Sequence, residues 1–389
     1  MKYFEFYNPV KICAGDGAIK HLNYELENLG VKKPLLLSDA GLKNFGMVEK
    51  VVKLSNLKNF ALYTDIPTDS GVQVVNTILN VLTENDCDGI IALGGGSVID
   101  TAKGVKMAYA RTTNLKDLMG LEVVKKANDI PFIVLPTTAG TGSEVTNVAV
   151  IRDEESGVKM EFITPYLMPN VALIDVCLTE TLPAKMTAST GIDALCHAIE
   201  GYSCMQKNPI SDAYAITAIK LIFENIEKVV LDPKDKDARQ NMAIASTLAG
   251  LAFGNSMVGG VHAIGHALGG ACHISHGDAM SILLPHVMEF NKDKLFEVYA
   301  GLYPTICEKI YNNNLTNEQK WDMVINEVKK LLKKLNKLTC LPISLSETGK
   351  YDNSLARKVA DLAINDGAVI VNPKQIDIGD VMDILNSAN

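Results

Sequence analysis

Asp193 and His197 stand four residues apart in the otherwise apolar stretch ASTGIDALCHAIEGY, and a helix there would project both side chains from one face. A carboxylate beside an imidazole on an Ala/Leu/Ile face must be compensated, either by a simple Asp-His hydrogen bond or by a divalent cation. A second cluster favours the cation. Of the seven histidines, six fall between 197 and 286, and His262, His266, His273 and His276 crowd into GGVHAIGHALGGACHISHGDAM. His262 and His266 would share a helix face, with Gly269-Gly270 ending that helix and turning the chain back towards His276. One Asp with several neutral imidazoles suits Fe(II), Zn or Ni and lacks the thiolates of a structural zinc site. Spacing alone does not choose among the four histidines.

A second chemistry-bearing pattern lies in the first half. The apolar run 88–93 reads as a buried strand leading straight into Gly94-Gly95-Gly96-Ser97 and then a helical pattern. Glycines let backbone amides approach an anion, and the positive end of the following helix favours a phosphate there; a plain tight turn is the alternative. Ser97 and Asp100 fit an [ST]-x-x-[DE] helix start. Asp39, just after an earlier strand, is the residue type that binds ribose hydroxyls and repels a 2′-phosphate, pointing to NAD rather than NADP; a plain turn aspartate is the alternative. The loop 136–146 carries five hydroxyl residues, among them Thr137, Thr138 and Thr141, without Lys or Arg. No Lys or Arg occurs in 137–151, 186–206 or 240–291, so a small neutral substrate is expected.

The elements that must position these residues divide the chain in two. Up to about residue 183, short apolar runs alternate with amphipathic segments, which indicates β-α units and a mainly parallel sheet. Strands are expected at 34–38, 59–64, 89–93, 132–135 and 171–174, and helices at 71–84 and 97–109. Beyond Thr181 the runs are long, Ala-rich and of helical period, with helices expected at 183–203, 210–225, 237–253, 261–269, 279–291, 294–302, 317–335 and 354–364. The expected domains are therefore an α/β dinucleotide-binding domain, 1–183, and an all-α metal and substrate domain, 184–389.

Composition narrows the classes further. The 389 residues carry a formal charge of −8 with only four arginines, too little basic character for nucleic-acid binding. Eight cysteines without a CxxC pair read as reduced thiols of a cytoplasmic protein. The start of the chain lacks a signal-peptide apolar run, and the charge-free stretch 240–277, with eight glycines and four histidines, reads as buried core around a polar site rather than a membrane span.

Taken together, GGGSVIDTAKG, PTTAGTGSEVT, ASTGIDALCHAIEGY and GVHAIGHALGGACHISHG resemble the iron-containing (group III) alcohol dehydrogenases, a family that includes lactaldehyde reductase, 1,3-propanediol dehydrogenase and bacterial methanol dehydrogenase. The resemblance implies a dinucleotide-binding α/β domain followed by a helical metal domain, as in the more distant dehydroquinate synthase, and a homo-oligomer, dimer or higher. It places the metal ligands on Asp193, His197, His262 and His276, gives His266 a proton-relay role beside the substrate, and leaves His273 without one. It places cofactor contacts on Asp39, Gly95, Gly96, Ser97, Thr137, Thr138, Thr141 and Lys159, with Asp100 and Lys103 completing GGGSxxDxxK. The implied activity is interconversion of a small primary alcohol or diol with its aldehyde, using NAD and Fe(II), with Zn as the alternative ion. Four protein ligands plus substrate exceed four-coordination and favour iron. A dehydroquinate-synthase-like lyase would need Lys and Arg around the metal, and a non-catalytic metal or nucleotide sensor would lack coupling between its two sites.

Overall fold

The computed structural model describes residues 3–389 except 110, 112–113, 125–129, 156–157, 308–311 and 313. It divides into two compact units, Tyr7–Leu182 and a second from Pro183 to Asn389. Phe6 belongs with the second, its ring stacked 5.6 Å from that of Tyr214.

The first unit is built on a six-stranded sheet. Its strands are β1 (Lys11–Ala14), β2 (Pro34–Leu37), β3 (Ala61–Tyr63), β4 (Gly89–Gly94), β6 (Phe132–Pro136) and β9 (Val171–Ile174); the smaller strands β5 (Gly120–Leu121), β7 (Val148–Arg152) and β8 (Lys159–Ile163) form a separate sheet. The large sheet runs β1-β9-β6-β4-β2-β3, every pair parallel. Burial on both faces explains why its central strands read as continuous apolar runs. Leu35, Leu37, Ile90 and Ala92 pack into the core on one face, and Leu36, Ile91 and Leu93 into the core on the other. The chain moves outward from β2 to β3 but crosses to the opposite side through β4 and β6, so the order reverses between β2 and β4. Ligands of open α/β sheets bind beyond the carboxyl ends of strands at such a reversal.

Five strands and the helices Val72–Glu84 and Gly96–Ala108 lie where the sequence pattern puts them. The pattern does not reveal β1, an exposed edge strand, nor the antiparallel pair β7 and β8, whose side chains are alternately buried and half-buried.

The second unit contains the helices Ala184–Ser203, Pro209–Leu231, Lys236–Phe253, Gly260–Cys272, His276–Ala300, Asn317–Thr339, Ala356–Ala363 and Ile378–Ser387. Two expectations are corrected. The expected segments 279–291 and 294–302 are one helix, His276–Ala300, which continues through Pro285. Gly269-Gly270 does not end its helix either. The helix runs to Cys272 and stops at His273, which takes the left-handed conformation, φ 55°. Among the described residues no helix is long and apolar enough to cross a membrane, and all eight cysteines are unpaired.

Candidate metal centre and dinucleotide cradle

In the helical unit three elements bring the candidate ligands together. The helix Ala184–Ser203 carries Asp193 and His197, the helix Gly260–Cys272 carries His262, and His276 opens the helix whose N-cap is Ser275. The last helix approaches closely because residue 277 is glycine: a Cβ there would stand 2.9 Å from Ser189 Cβ and 3.0 Å from its carbonyl oxygen. Asp193 Oδ1 is the convergence point, 3.1 Å from His276 Nε2, 3.7 Å from His262 Nε2 and 3.8 Å from His197 Nδ1. The His197 ring stacks between His262, centroids 4.4 Å apart, and Phe253, centroids 4.2 Å apart.

Asp193 is 3% exposed and His262 2%, yet neither Asp193 Oδ1 nor His262 Nε2 makes a hydrogen bond among the described residues. Such orphaned atoms are costly unless something else satisfies them. A carboxylate oxygen and imidazole nitrogens aimed at one point fit a divalent cation of the iron or zinc type. The electrostatics agree. Burial would push Asp193 up, but the imidazoles of His197 and His276 hold it well below the usual carboxylate range. Burial disfavours the charged form of His262, but Asp193 and Glu200 carry it to about 9. Burial lowers His276, despite Asp193 beside it.

Two carboxylates that the sequence reading did not single out complete the centre. Glu200 Oε2 lies 2.5 Å from His262 Nδ1, and Asp366 Oδ2 lies 2.8 Å from His266 Nδ1. Glu200 was legible in principle, since Asp193, His197 and Glu200 follow helical spacing on one face. Asp366 gives no local signal, because it enters from the start of the turn Gly367–Val371. His266 sits beside the cluster, its ring 5.4 Å from that of His276. His273 is exposed and caps a helix.

In the α/β unit, Asp39, the glycine turn and the threonine loop follow β2, β4 and β6, three adjacent strands. Ser38 Oγ donates to the Leu93 carbonyl at 2.8 Å, and Thr137 N–H donates to the Gly94 carbonyl at 3.0 Å. A Cβ at Gly95 would come within 3.0 Å of Thr138, and one at Gly96 within 2.8 Å of Thr141. These loops therefore pack at backbone distance around the start of the helix Gly96–Ala108, whose first amides have no side-chain cap. Uncapped amides at a positive helix end form an anion cradle. Asp39 is half-buried and caps the short helix Ala40–Asn44 through Leu42 N–H. Thr137 is buried beneath the cradle, while Thr138 and Thr141 are half-buried at it.

The expected Ser97/Asp100 helix start does not form, since Gly95 is the N-cap. Asp100 instead turns to the neighbouring segment, where one oxygen accepts from Val150 N–H at 3.0 Å. Burial raises its pKa against the pull of Lys103. The loop 136–146 carries no cation of its own, but Lys103 reaches it from the helix, with Nζ 3.0 Å from Thr146 Oγ1 and 2.6 Å from the Val148 carbonyl. Lys159 pairs with Asp69 at 2.9 Å, and Asp69 N–H meets Ser97 Oγ at 3.4 Å, so it stands one residue removed from the glycine turn.

The comparisons with known proteins agree over the whole length. Residues 9–176 match the family model "Iron-containing alcohol dehydrogenase", and 187–389 match "Fe-containing alcohol dehydrogenase family, C-terminal". The NAD-dependent methanol dehydrogenase of Bacillus methanolicus is 34% identical over 387 residues, 98% of this chain and 99% of that protein. The NADPH-dependent butanol dehydrogenase of Clostridium saccharobutylicum is 36% identical over 381 residues, covering 95% of this chain and 94% of its own. A crystal structure of 1,3-propanediol oxidoreductase superposes with a TM-score of 0.94 at 31% identity, covering 100% of both chains. The chain belongs to the iron-containing alcohol dehydrogenase family and is an oxidoreductase of that type.

Proposed function

We propose that this protein interconverts a small primary alcohol or diol with its aldehyde using NAD(H), with Asp193, His197, His262 and His276 holding divalent iron. The observation that carries this reading is the pair of orphaned buried atoms, Asp193 Oδ1 and His262 Nε2, aimed at one point beside His276. When bound, the ion supplies Lewis-acid stabilisation of negative charge on the alcohol oxygen, and NAD supplies the hydride acceptor.

The protein's own residues do the rest. Asp193 neutralises part of the ion's charge; it is buried together with His197 and His262, while His276 is half-exposed. His266, held by Asp366, takes the hydroxyl proton and passes it on; an imidazole suits that task near neutral pH. Gly95, Gly96 and Ser97 receive the pyrophosphate at the helix start, with Thr138 and Thr141 beside it. Asp39 faces the ribose and selects against a 2′-phosphate. The relatives named above use NAD in one case and NADPH in the other, so membership of the family leaves the choice open and this reading of it rests on Asp39. A neutral substrate follows from the absence of Lys and Arg in 186–206 and 240–291. The eight unpaired thiols accord with a cytoplasmic location.

The test is to reconstitute the purified protein with Fe(II) without oxygen, add NAD and short alcohols or propanediol, and follow absorbance at 340 nm. NADH should form with at least one short alcohol; no NADH with any of them would remove this reading.

A further inference from the structure

Glu200 is 5% exposed and both of its oxygens are engaged. Oε1 accepts from Val261 N–H at 2.7 Å, and Oε2 faces His262 Nδ1 at 2.5 Å. Val261 lies in the first turn of the helix Gly260–Cys272, which has no side-chain cap of its own and whose Gly260 N–H goes instead to Asn372 Oδ1 at 3.1 Å. The carboxylate therefore sits at a positive helix end, where negative charge is favoured. A carboxylate can only accept hydrogen bonds, so the His262 ring must present Nδ1–H to it. When the ring is neutral, as a metal-ligating imidazole must be, that leaves the Nε2 lone pair on the side of Asp193 Oδ1.

We propose that Glu200 is a positioning residue for the metal centre: it selects the tautomer and ring orientation in which His262 Nε2 meets the ion, and with Asp193 it provides two negative charges to balance a divalent cation. This rests on the reading of His262 as a ligand. Partners of this kind typically contribute 10- to 100-fold to metal affinity.

Glutamine at this position separates the role from plain helix capping. In Glu200→Gln the side-chain amide can still accept from Val261 N–H through its oxygen, but its NH₂ group then donates to His262 Nδ1 and forces the ring proton onto Nε2, where the ion should bind. Metal-free wild type, Glu200→Gln and His262→Ala are titrated anaerobically with Fe(II) against a competing chelator, with circular dichroism as the check on folding. Glu200→Gln should keep its helix content and bind Fe(II) at least 10-fold more weakly. Wild-type affinity in Glu200→Gln, with loss in His262→Ala, would reduce Glu200 to a helix cap and overturn the proposal while sparing the ligand reading. Wild-type affinity in His262→Ala would overturn the ligand reading itself. Should Glu200→Gln not fold, ¹⁵N-histidine spectra of the Zn-loaded wild type decide: a slowly exchanging proton on His262 Nδ1 is expected, and its absence refutes the proposal.

Discussion

His266 Nδ1 lies 2.8 Å from Asp366 Oδ2, while the other oxygen of that carboxylate accepts from Ala368 N–H at 2.8 Å. Burial would raise Asp366, but the adjacent imidazole holds it below the usual carboxylate value, so an ionised carboxylate anchors the ring. With its Nδ1 proton directed at Asp366, His266 offers Nε2 as the proton acceptor. His266→Ala should keep its metal and lose on the order of 100-fold in kcat, whereas His262→Ala should lose metal and activity together. Asp366→Asn should retain metal and show a smaller fall in kcat than His266→Ala. Metal content and steady-state kinetics on the three variants check this division; equal metal loss in His262→Ala and His266→Ala would contradict it.

Asp39 follows β2 at the point where the strand order reverses, next to the glycine turn that follows β4. Replacing it by glycine removes the negative charge that a 2′-phosphate would meet. The ratio of kcat/KM for NADP to that for NAD should rise by at least about tenfold in Asp39→Gly, roughly the 1.4 kcal/mol of one unfavourable charge contact. An unchanged ratio would make Asp39 a helix cap and nothing more.

Gly277 allows the helix bearing His276 to touch the backbone of Ser189. A methyl group there cannot be accommodated by a rotamer change, because one of the atoms it meets is a carbonyl oxygen. Gly277→Ala should destabilise by about 1–3 kcal/mol, the usual cost of overpacking, and should lower metal occupancy by displacing His276. Thermal unfolding and metal analysis of the same preparations test both effects.

Lys103 is fully buried, and burial drops its pKa from 10.5 to about 8, against the pull of Asp100 and Glu144. Between those two values the unfolded chain holds this proton and the folded protein does not, so this side chain makes stability rise with pH across the window. Below pH 8 both states are protonated and the charged side chain exerts its full unfavourable effect. Other groups also titrate in this range, Lys106 among them with a pKa of about 8, so the difference between wild type and Lys103→Met is the informative quantity. Denaturant melts should show that difference moving in favour of wild type by up to about 3 kcal/mol from about pH 8 to 10.5. A flat difference would mean that Lys103 keeps its proton in the fold.

Sequence reading worked where one physical rule dominates. The strands β2, β4, β6 and β9 are buried on both faces and so appear as apolar runs, and Asp193 with His197 shows the helical spacing that aligns them. It worked less well where tertiary contacts decide. Gly269-Gly270 reads as a helix stop, yet the helix continues to Cys272, with Ala267 and Leu268 buried in its last turns. The break expected at 292–293 is absent as well: Val287, Met288, Asn291 and Leu295 are buried and one helix runs from His276 to Ala300. Asp100 matches a capping pattern but goes to Val150, which is far away in sequence. Asp366 could not be found locally, because its relation to His266 exists only after the chain has folded.

The proposed chemistry depends on a divalent ion held by Asp193, His197, His262 and His276. Anomalous diffraction at the iron edge, from crystals of protein reconstituted anaerobically with Fe(II), locates that ion directly. A single strong peak within ~2.0–2.3 Å of Asp193 Oδ1 and the nitrogens of all three histidines is the expected result. A peak elsewhere, or one ligated without Asp193 and His262, would contradict it.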